Sequence, residues 1–288
     1  MKKILFIVNP NAGKKKSSAE DIRQALSDQA IDYDIAITQH HQHAKQLAQQ
    51  NQHQYQTFVA IGGDGTINEV INGIGENNTL GIIPMGSGND FARSIDLPIN
   101  DLTAALRIIL KGTTKEVDIG EINGIRFINA VGIGFDGYAN HLSQKIRWIK
   151  GGLKYIFAIA KAAIFYKPQE ATLEINNVKC TTPIFMLSIN NGKFVGNGLP
   201  TAPNAKLDDG QFNVIKISHL KRYRLATQFG RMKKGLIQSI PEVEHQLASE
   251  LNATSASPLY IHYDGEAMYN TNSIHIKIHP KAIKLICP

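Results

Sequence analysis

The stretch TFVAIGGDGTINEVINGI, residues 57–74, runs an apolar strand-like segment into a helical one with Gly62, Gly63, Asp64 and Gly65 between them. A plain turn needs one glycine or two. Three around one carboxylate describe a backbone that another group approaches closely. The same alternation fills the first third of the chain. KILFIV, DYDIAIT, TFVAIGG and TLGIIPM read as strands, and SAEDIRQALSDQA, HAKQLAQQNQ, INEVINGI, DFARSI and DLTAALRIILKG as helices between them. Strand alternating with helix means βαβ units and a mostly parallel sheet, so this part is an α/β domain.

From about residue 116 the pattern changes. EVDIGEI, IRFINAVGIG, ATLEINNV, TPIFMLSIN, FNVIKIS, LYIHYDGE and IHIKIHP are strands punctuated by Gly, Asn and Pro, with basic helical inserts at 141–165 and 219–238. That predicts an antiparallel second domain. The expected division is 1–120 and 121–278, with the tail from about 279 to 288 able to return to the first domain. A length of 288 residues suits two domains.

The composition excludes several classes. The two cysteines, Cys180 and Cys287, have no CxxC spacing, which argues for a reducing compartment and against a disulfide framework or structural zinc. The apolar run after Met1 stops at Asn9-Pro10, too short for a signal peptide. YIFAIAKAAIFY (155–166) is too short to span a bilayer and carries Lys161. A cytoplasmic protein is expected. Its net charge of +7 is uneven. Lys145, Arg147, Lys150, Lys154, Lys161 and Lys167 share 141–167 with no acid, as do Lys221, Arg222, Arg224, Arg231, Lys233 and Lys234 in 219–235. Such stretches suit an anionic partner, a phospholipid surface or a nucleic acid, or are solvated helix faces. Nucleic acid is disfavoured, because only Tyr223 sits as a stacking aromatic among the arginines.

In an open parallel sheet, ligands sit beyond the carboxyl ends of the strands. GGDGT lies at such an end. Thr66 and Glu69 have the spacing of a capping box for the following helix. A helix N-terminus beside bare glycine amides also makes an anion site, where Asp64 would serve Mg²⁺ for want of a structural partner. IIPMGSGNDFAR (82–93) repeats the design, with Asp90 either an N-cap or functional, and IVNPNAG (7–13) puts Asn9, Asn11 and Gly13 on the same rim. Three such loops predict a nucleotide-phosphate cradle. NAGKKKS is not a P-loop, since it lacks the first glycine and the Lys-Ser/Thr pair. The G-x-G-x-x-G of Gly132, Gly134 and Gly137 lies outside any βαβ unit, against a dinucleotide reading. The HHQH run (40–43) reads as solvated.

NPNAG (9–13), GGDGTINEVINGI (62–74), GIIPMGSGNDFAR (81–93), VGIGFDG (131–137), TAPNAKLDDGQF (201–212) and YDGE (263–266), in this order, resemble the soluble bacterial diacylglycerol kinases, relatives of sphingosine and ceramide kinases. GGDGT alone also occurs in NAD kinases and 6-phosphofructokinases. GSGNDFAR, PNAKLDDG and DGE after it make the resemblance specific, and it spans nearly the whole chain. It implies an ATP-binding α/β domain of the NAD kinase and phosphofructokinase kind, a C-terminal antiparallel β-sandwich for the lipid, and an active site in the cleft between them. ATP contacts carry over to Asn9, Pro10, Asn11, Ala12, Gly13 and Thr38, to Gly63, Asp64, Gly65, Thr66, Ile67, Asn68 and Glu69, and to Ser87. Asp64 would organise the catalytic Mg²⁺, Asp90 support it, and Glu266 act as general base on the lipid hydroxyl. A structural Mg²⁺ would be held by Asp209 and the backbone carbonyls of Lys206 and Gln211. By local pattern alone, Asp209-Gly210 and Asp264-Gly265 are β-turns.

The activity implied is ATP- and Mg²⁺-dependent phosphorylation of diacylglycerol to phosphatidic acid, at the inner face of an anionic membrane, in a protein that can form a homodimer. The segment 146–165, with Trp148, Tyr155 and Phe157, either dips into that interface or packs on its own sandwich. Other lipid alcohols, a sphingoid base, an NAD kinase-like soluble acceptor and a non-catalytic nucleotide-binding protein are the alternatives.

Overall fold

The structure is a computed structural model that describes residues 3–13, 19–146, 152–269 and 271–288. The side chains of 152–155, 222, 223, 225, 226 and 229 lie outside that description. So do Lys14–Ser17, Arg147, Trp148 and Lys150 as wholes, and the readings placed on them and on Lys154, Tyr155, Arg222 and Tyr223 stay with the sequence.

The chain divides into two compact units, Met1–Ile119 with Pro280–Pro288, and Gly120–His279. In the first, β1 (Ile4–Val8), α1 (Ala19–Leu26), β2 (Tyr33–Ile37), α2 (His43–Asn51), β3 (Thr57–Gly62), α3 (Asp64–Ile71), β4 (Thr79–Pro84), α4 (Asp90–Ser94) and α5 (Leu102–Lys111) follow in order. The strands lie β2-β1-β3-β4 and all pair in parallel. Phe6, Val8, Val59, Ile61 and Ile83 share a core with Ile22 and Leu26 of α1 and Ala105, Leu106 and Ile109 of α5. The intervening Ile7, Phe58 and Ala60 are equally buried. Both faces of the sheet are therefore covered, which is why these strands read as unbroken apolar runs.

β5 (Thr114–Ile122) leads into the second unit, which continues with β6 (Ile125–Phe127), β7 (Ala130–Gly134), α6 (Phe135–Lys145), α7 (Gly152–Phe165), β8 (Gln169–Ile175), β9 (Val178–Ile184), β10 (Met186–Asn190), β11 (Phe212–Ile217), α8 (Arg222–Lys233), β12 (Glu244–Ala248), β13 (Glu250–Ser255), β14 (Ile261–Tyr263), β15 (Glu266–Met268) and β16 (Ser273–Ile286). It is an antiparallel sandwich. One sheet runs β12-β11-β10-β7-β14-β15; the other pairs β13 with β16 and β8, and β8 with β9. Val131, Ile133, Leu187, Ile189 and Val214 from the first meet Leu173, Leu251, Ala253, Ile274 and Ile276 from the second. Phe135, Ala139 and Leu142 of α6 join Ala158 and Ala162 of α7 and Ile215 and Ile217 of β11 in a separate core. In the first unit, Lys284 and Leu285 at the end of β16 pair in parallel with Thr79 and Leu80 of β4.

The first basic helical insert differs from its sequence reading. Helix begins at Phe135, inside VGIGFDG, because β7 passes directly into α6 without a loop.

Candidate active site

In the first unit three loops interlock at the carboxyl ends of β1, β3 and β4. The Asn9 N–H donates to Ile61 O at 2.9 Å, its Oδ1 accepts from Asn11 N at 3.0 Å, and its Nδ2 donates to Thr66 Oγ1 at 3.1 Å. One asparagine thus shapes the 9–13 turn and binds it to α3. Met85 N donates to Gly62 O at 2.7 Å, and a Cβ on Gly86 would stand 2.3 Å from Gly63 Cα. Gly13, with φ +66°, likewise lies against the Met85 carbonyl, where a Cβ would come within 2.0 Å. These glycines serve contact between loops as well as any ligand.

Two helix starts differ from expectation. The Thr66–Glu69 capping box does not form, because Gly63 is the N-cap and Thr66 is already the third helical residue. Its hydroxyl serves Asn9 instead. The Glu69 carboxylate reaches α2, accepting from Gln42 N at 2.9 Å and Ala44 N at 3.0 Å, so it caps a neighbouring helix. Asp90 is not an N-cap either. Asn89 holds that place at φ +55°, its side chain bonded both ways to the Gly86 backbone at 2.9 and 2.8 Å.

The sequence offers Asp64 no structural partner, yet its Oδ1 accepts from Phe91 N at 3.3 Å. A Cβ built on Gly88 would stand 3.0 Å from Asp64 Oδ2 and 3.6 Å from Asp90 Oδ2. The two carboxylates therefore converge beside a residue with no side chain. That donor set fits a hard dication, which takes oxygen ligands and keeps much of its coordination for water and phosphate. Among the described residues, no group of three or more His, Cys, Asp or Glu gathers. One or two carboxylates suffice for Mg²⁺ beside a nucleotide. Thr38 is buried beside this rim, its N–H donating to Val8 O at 2.8 Å, and Ser87 is exposed.

The second unit carries Glu266 at the start of β15, opposite Tyr263 on β14. Asp264 and Gly265 have φ +46° and +86°, the signature of a type I′ hairpin turn. Asp264 does more than turn. Its carboxylate accepts from the N–H groups of Ile128, Asn129 and Ala130 at 2.9, 2.9 and 3.0 Å. Burial, then the carboxylates of Glu266 and Asp264, pushes the Tyr263 phenol above its ordinary range. At Asp209 and Gly210 the chain bends before β11 instead of forming the expected hairpin-type β-turn; Gln211 N donates to Asp209 Oδ1 at 3.1 Å, a side-chain-closed bend, and Lys206 is exposed. A carboxylate and backbone carbonyls are the oxygen donors a dication takes, so this loop is compatible with one.

Sequence reasoning missed Asp264, and with it His262 and Asp136, whose Nε2 and Oδ2 pair at 2.8 Å. The VGIGFDG stretch enters the sequence reading through its glycines and as a piece of the family resemblance, with no role for Asp136.

Residues 3–122 match the diacylglycerol kinase catalytic domain, and 129–287 match the YegS C-terminal NAD kinase beta sandwich-like domain. A diacylglycerol kinase of Staphylococcus aureus is 31% identical over 274 residues, covering 92% of this chain and 86% of that protein. A crystal structure of a diacylglycerol kinase from Bacillus anthracis superposes with TM-score 0.73 at 21% identity, covering 100% of this chain and 97% of that one. An NAD kinase from Archaeoglobus fulgidus in complex with ATP gives TM-score 0.56 at 11% identity, over 98% of this chain and 93% of that one. The last two are likenesses of fold.

Proposed function

This chain belongs to the diacylglycerol kinase family, and from that premise we propose that it transfers the γ-phosphate of ATP to the free hydroxyl of diacylglycerol, giving phosphatidic acid. The observation that carries the proposal is the convergence of Asp64 and Asp90 beside Gly88, on a rim of three interlocked loops. Phosphoryl transfer asks a protein for positioning and charge neutralisation more than for covalent chemistry.

In this reading the first unit binds ATP. The rim from Asn9 to Gly13, the start of α3 from Gly63 to Glu69, Thr38 and Ser87 hold the nucleotide, with backbone amides and the α3 N-terminus toward the phosphates. Asp64 holds a Mg²⁺ and Asp90 supports it; when bound, the ion would offset charge on the phosphates. The second unit offers the lipid site, and Glu266 takes the proton of the attacking hydroxyl. Lys206, Asp209 and Gln211 hold a structural Mg²⁺.

Work on a membrane lipid requires a membrane surface. Among the described residues no helix is long and apolar enough to cross a bilayer. Helix α7 buries Ala158, Ala162 and, just beyond it, Tyr166, while Ile156, Ile164 and Phe165 are 63%, 58% and 60% exposed. Its outer face is thus apolar and flanked by exposed Lys161 and Lys167. That suits an anionic bilayer surface, toward which each lysine contributes about 1 kcal/mol. In 219–235 the charge is less free than it reads, because Arg224 pairs with Glu242 at 2.7 Å.

The test is ADP release from ATP. Release stimulated by diacylglycerol micelles and abolished by EDTA is expected; release indifferent to lipid would contradict the proposal.

A further inference from the structure

Helix α6 carries Asp136, Asn140 and Gln144 at intervals of four, so the three side chains form one stripe. Each meets a different point of the hairpin that bears Glu266. Asp136 Oδ2 pairs with His262 Nε2 on β14 at 2.8 Å. Asn140 Nδ2 donates to Gly265 O in the turn at 2.8 Å. The Tyr269 hydroxyl, just past β15, donates to Gln144 Oε1 at 2.7 Å. Gln144 Nε2 also donates to Asn140 Oδ1 at 3.3 Å, joining neighbours within the stripe.

Covering the sheet does not require these bonds. Phe135, Ala139 and Leu142 of the same helix already pack into an apolar core. Apolar contact is non-directional, whereas hydrogen bonds fix distance and angle. The polar stripe also demands room. A Cβ on Gly132 of β7 would stand 2.3 Å from His262 Nε2 and 2.4 Å from Asp136 Oδ2. The chain thus gives up a side chain in mid-strand to seat a part-buried His–Asp pair.

We propose that the Asp136–Asn140–Gln144 stripe is a positioning element for Glu266. It holds the hairpin at strand, turn and exit, so that the carboxylate meets the substrate hydroxyl in one place. This rests on the reading of Glu266 as general base. The stripe residues act through the hairpin and touch no reacting atom.

The test is a set of mutant cycles on the full chain with diacylglycerol micelles. Asn140→Ala, Gln144→Ala and Tyr269→Phe are made alone and with Glu266→Gln, reading kcat, KM for ATP and melting temperature. Each single change is expected to lower kcat on the order of tenfold with KM for ATP unchanged. The loss should vanish in the Glu266→Gln background, and Gln144→Glu, which still accepts from Tyr269 but no longer donates to Asn140, should keep more of the rate than Gln144→Ala. If Asn140→Ala fails to fold, the exposed Gln144 and Tyr269 carry the test. Wild-type kcat in both of those variants, or an equal loss with Glu266→Gln, overturns the proposal. Wild-type turnover in Glu266→Gln alone overturns the base assignment instead, so the two failures are distinguishable.

Discussion

Asp64 at the start of α3 accepts a hydrogen bond from the backbone N–H of Phe91 on α4 at 3.3 Å. The bond ties the GGDG loop to the GSGND loop and turns the second Asp64 oxygen toward Gly88 and Asp90. A carboxylate held this way is built in, rather than a surface acid that happens to be near.

Asp64→Asn keeps the shape and an acceptor for Phe91 but loses the charge. The expected outcome is a fall in kcat of about 10²–10³-fold or more with melting temperature nearly unchanged. Turnover near the wild-type rate would remove Asp64 from the metal site.

Glu266→Gln should leave ATP affinity intact, because Glu266 stands on the β14–β15 hairpin of the second unit, whereas the loops proposed to hold ATP belong to the first. Loss of a positioned base costs about 10²–10⁴-fold in rate. Calorimetric titration with ATP beside steady-state kinetics separates the two quantities. Collapse of ATP affinity would argue that Glu266 is not the base.

Asp264→Ala removes the acceptor for three backbone N–H groups. Each buried donor left unmade costs about 1–3 kcal/mol, partly recovered by relaxation and water, so a loss of roughly 2–5 kcal/mol is expected. Asp264→Asn, with one acceptor oxygen left, should lose less. Denaturant unfolding of both variants measures the difference, and equal stability to the parent would show that the three bonds are replaceable.

Ile164→Ser with Phe165→Ser should weaken sedimentation with vesicles containing anionic lipid while leaving the melting temperature within a degree or two, as expected for surface substitutions. Both side chains are more than half exposed, so little packing is lost. Unchanged vesicle binding would assign the outer face of α7 some other role.

The three loops and the Glu266 hairpin were legible because their signals are local: glycines at strand ends, and Asp-Gly between alternating runs. Thr66 and Glu69 were misread for the same reason. Their spacing fits a local cap, but Gly63 starts the helix early and frees both side chains for partners on other elements. Asp264 and His262 were illegible because their partners lie more than a hundred residues away, at 128–130 and 136. A register of that range is set by the sandwich as a whole, and no short pattern announces it.

The most direct measurement is transfer of label from γ-labelled ATP with Mg²⁺, offering diacylglycerol, sphingosine and NAD⁺ together in anionic mixed micelles. Label in phosphatidic acid alone is the expected result. Label in sphingosine phosphate would keep the site and move the substrate, and label confined to NADP would contradict the assignment of a lipid acceptor altogether.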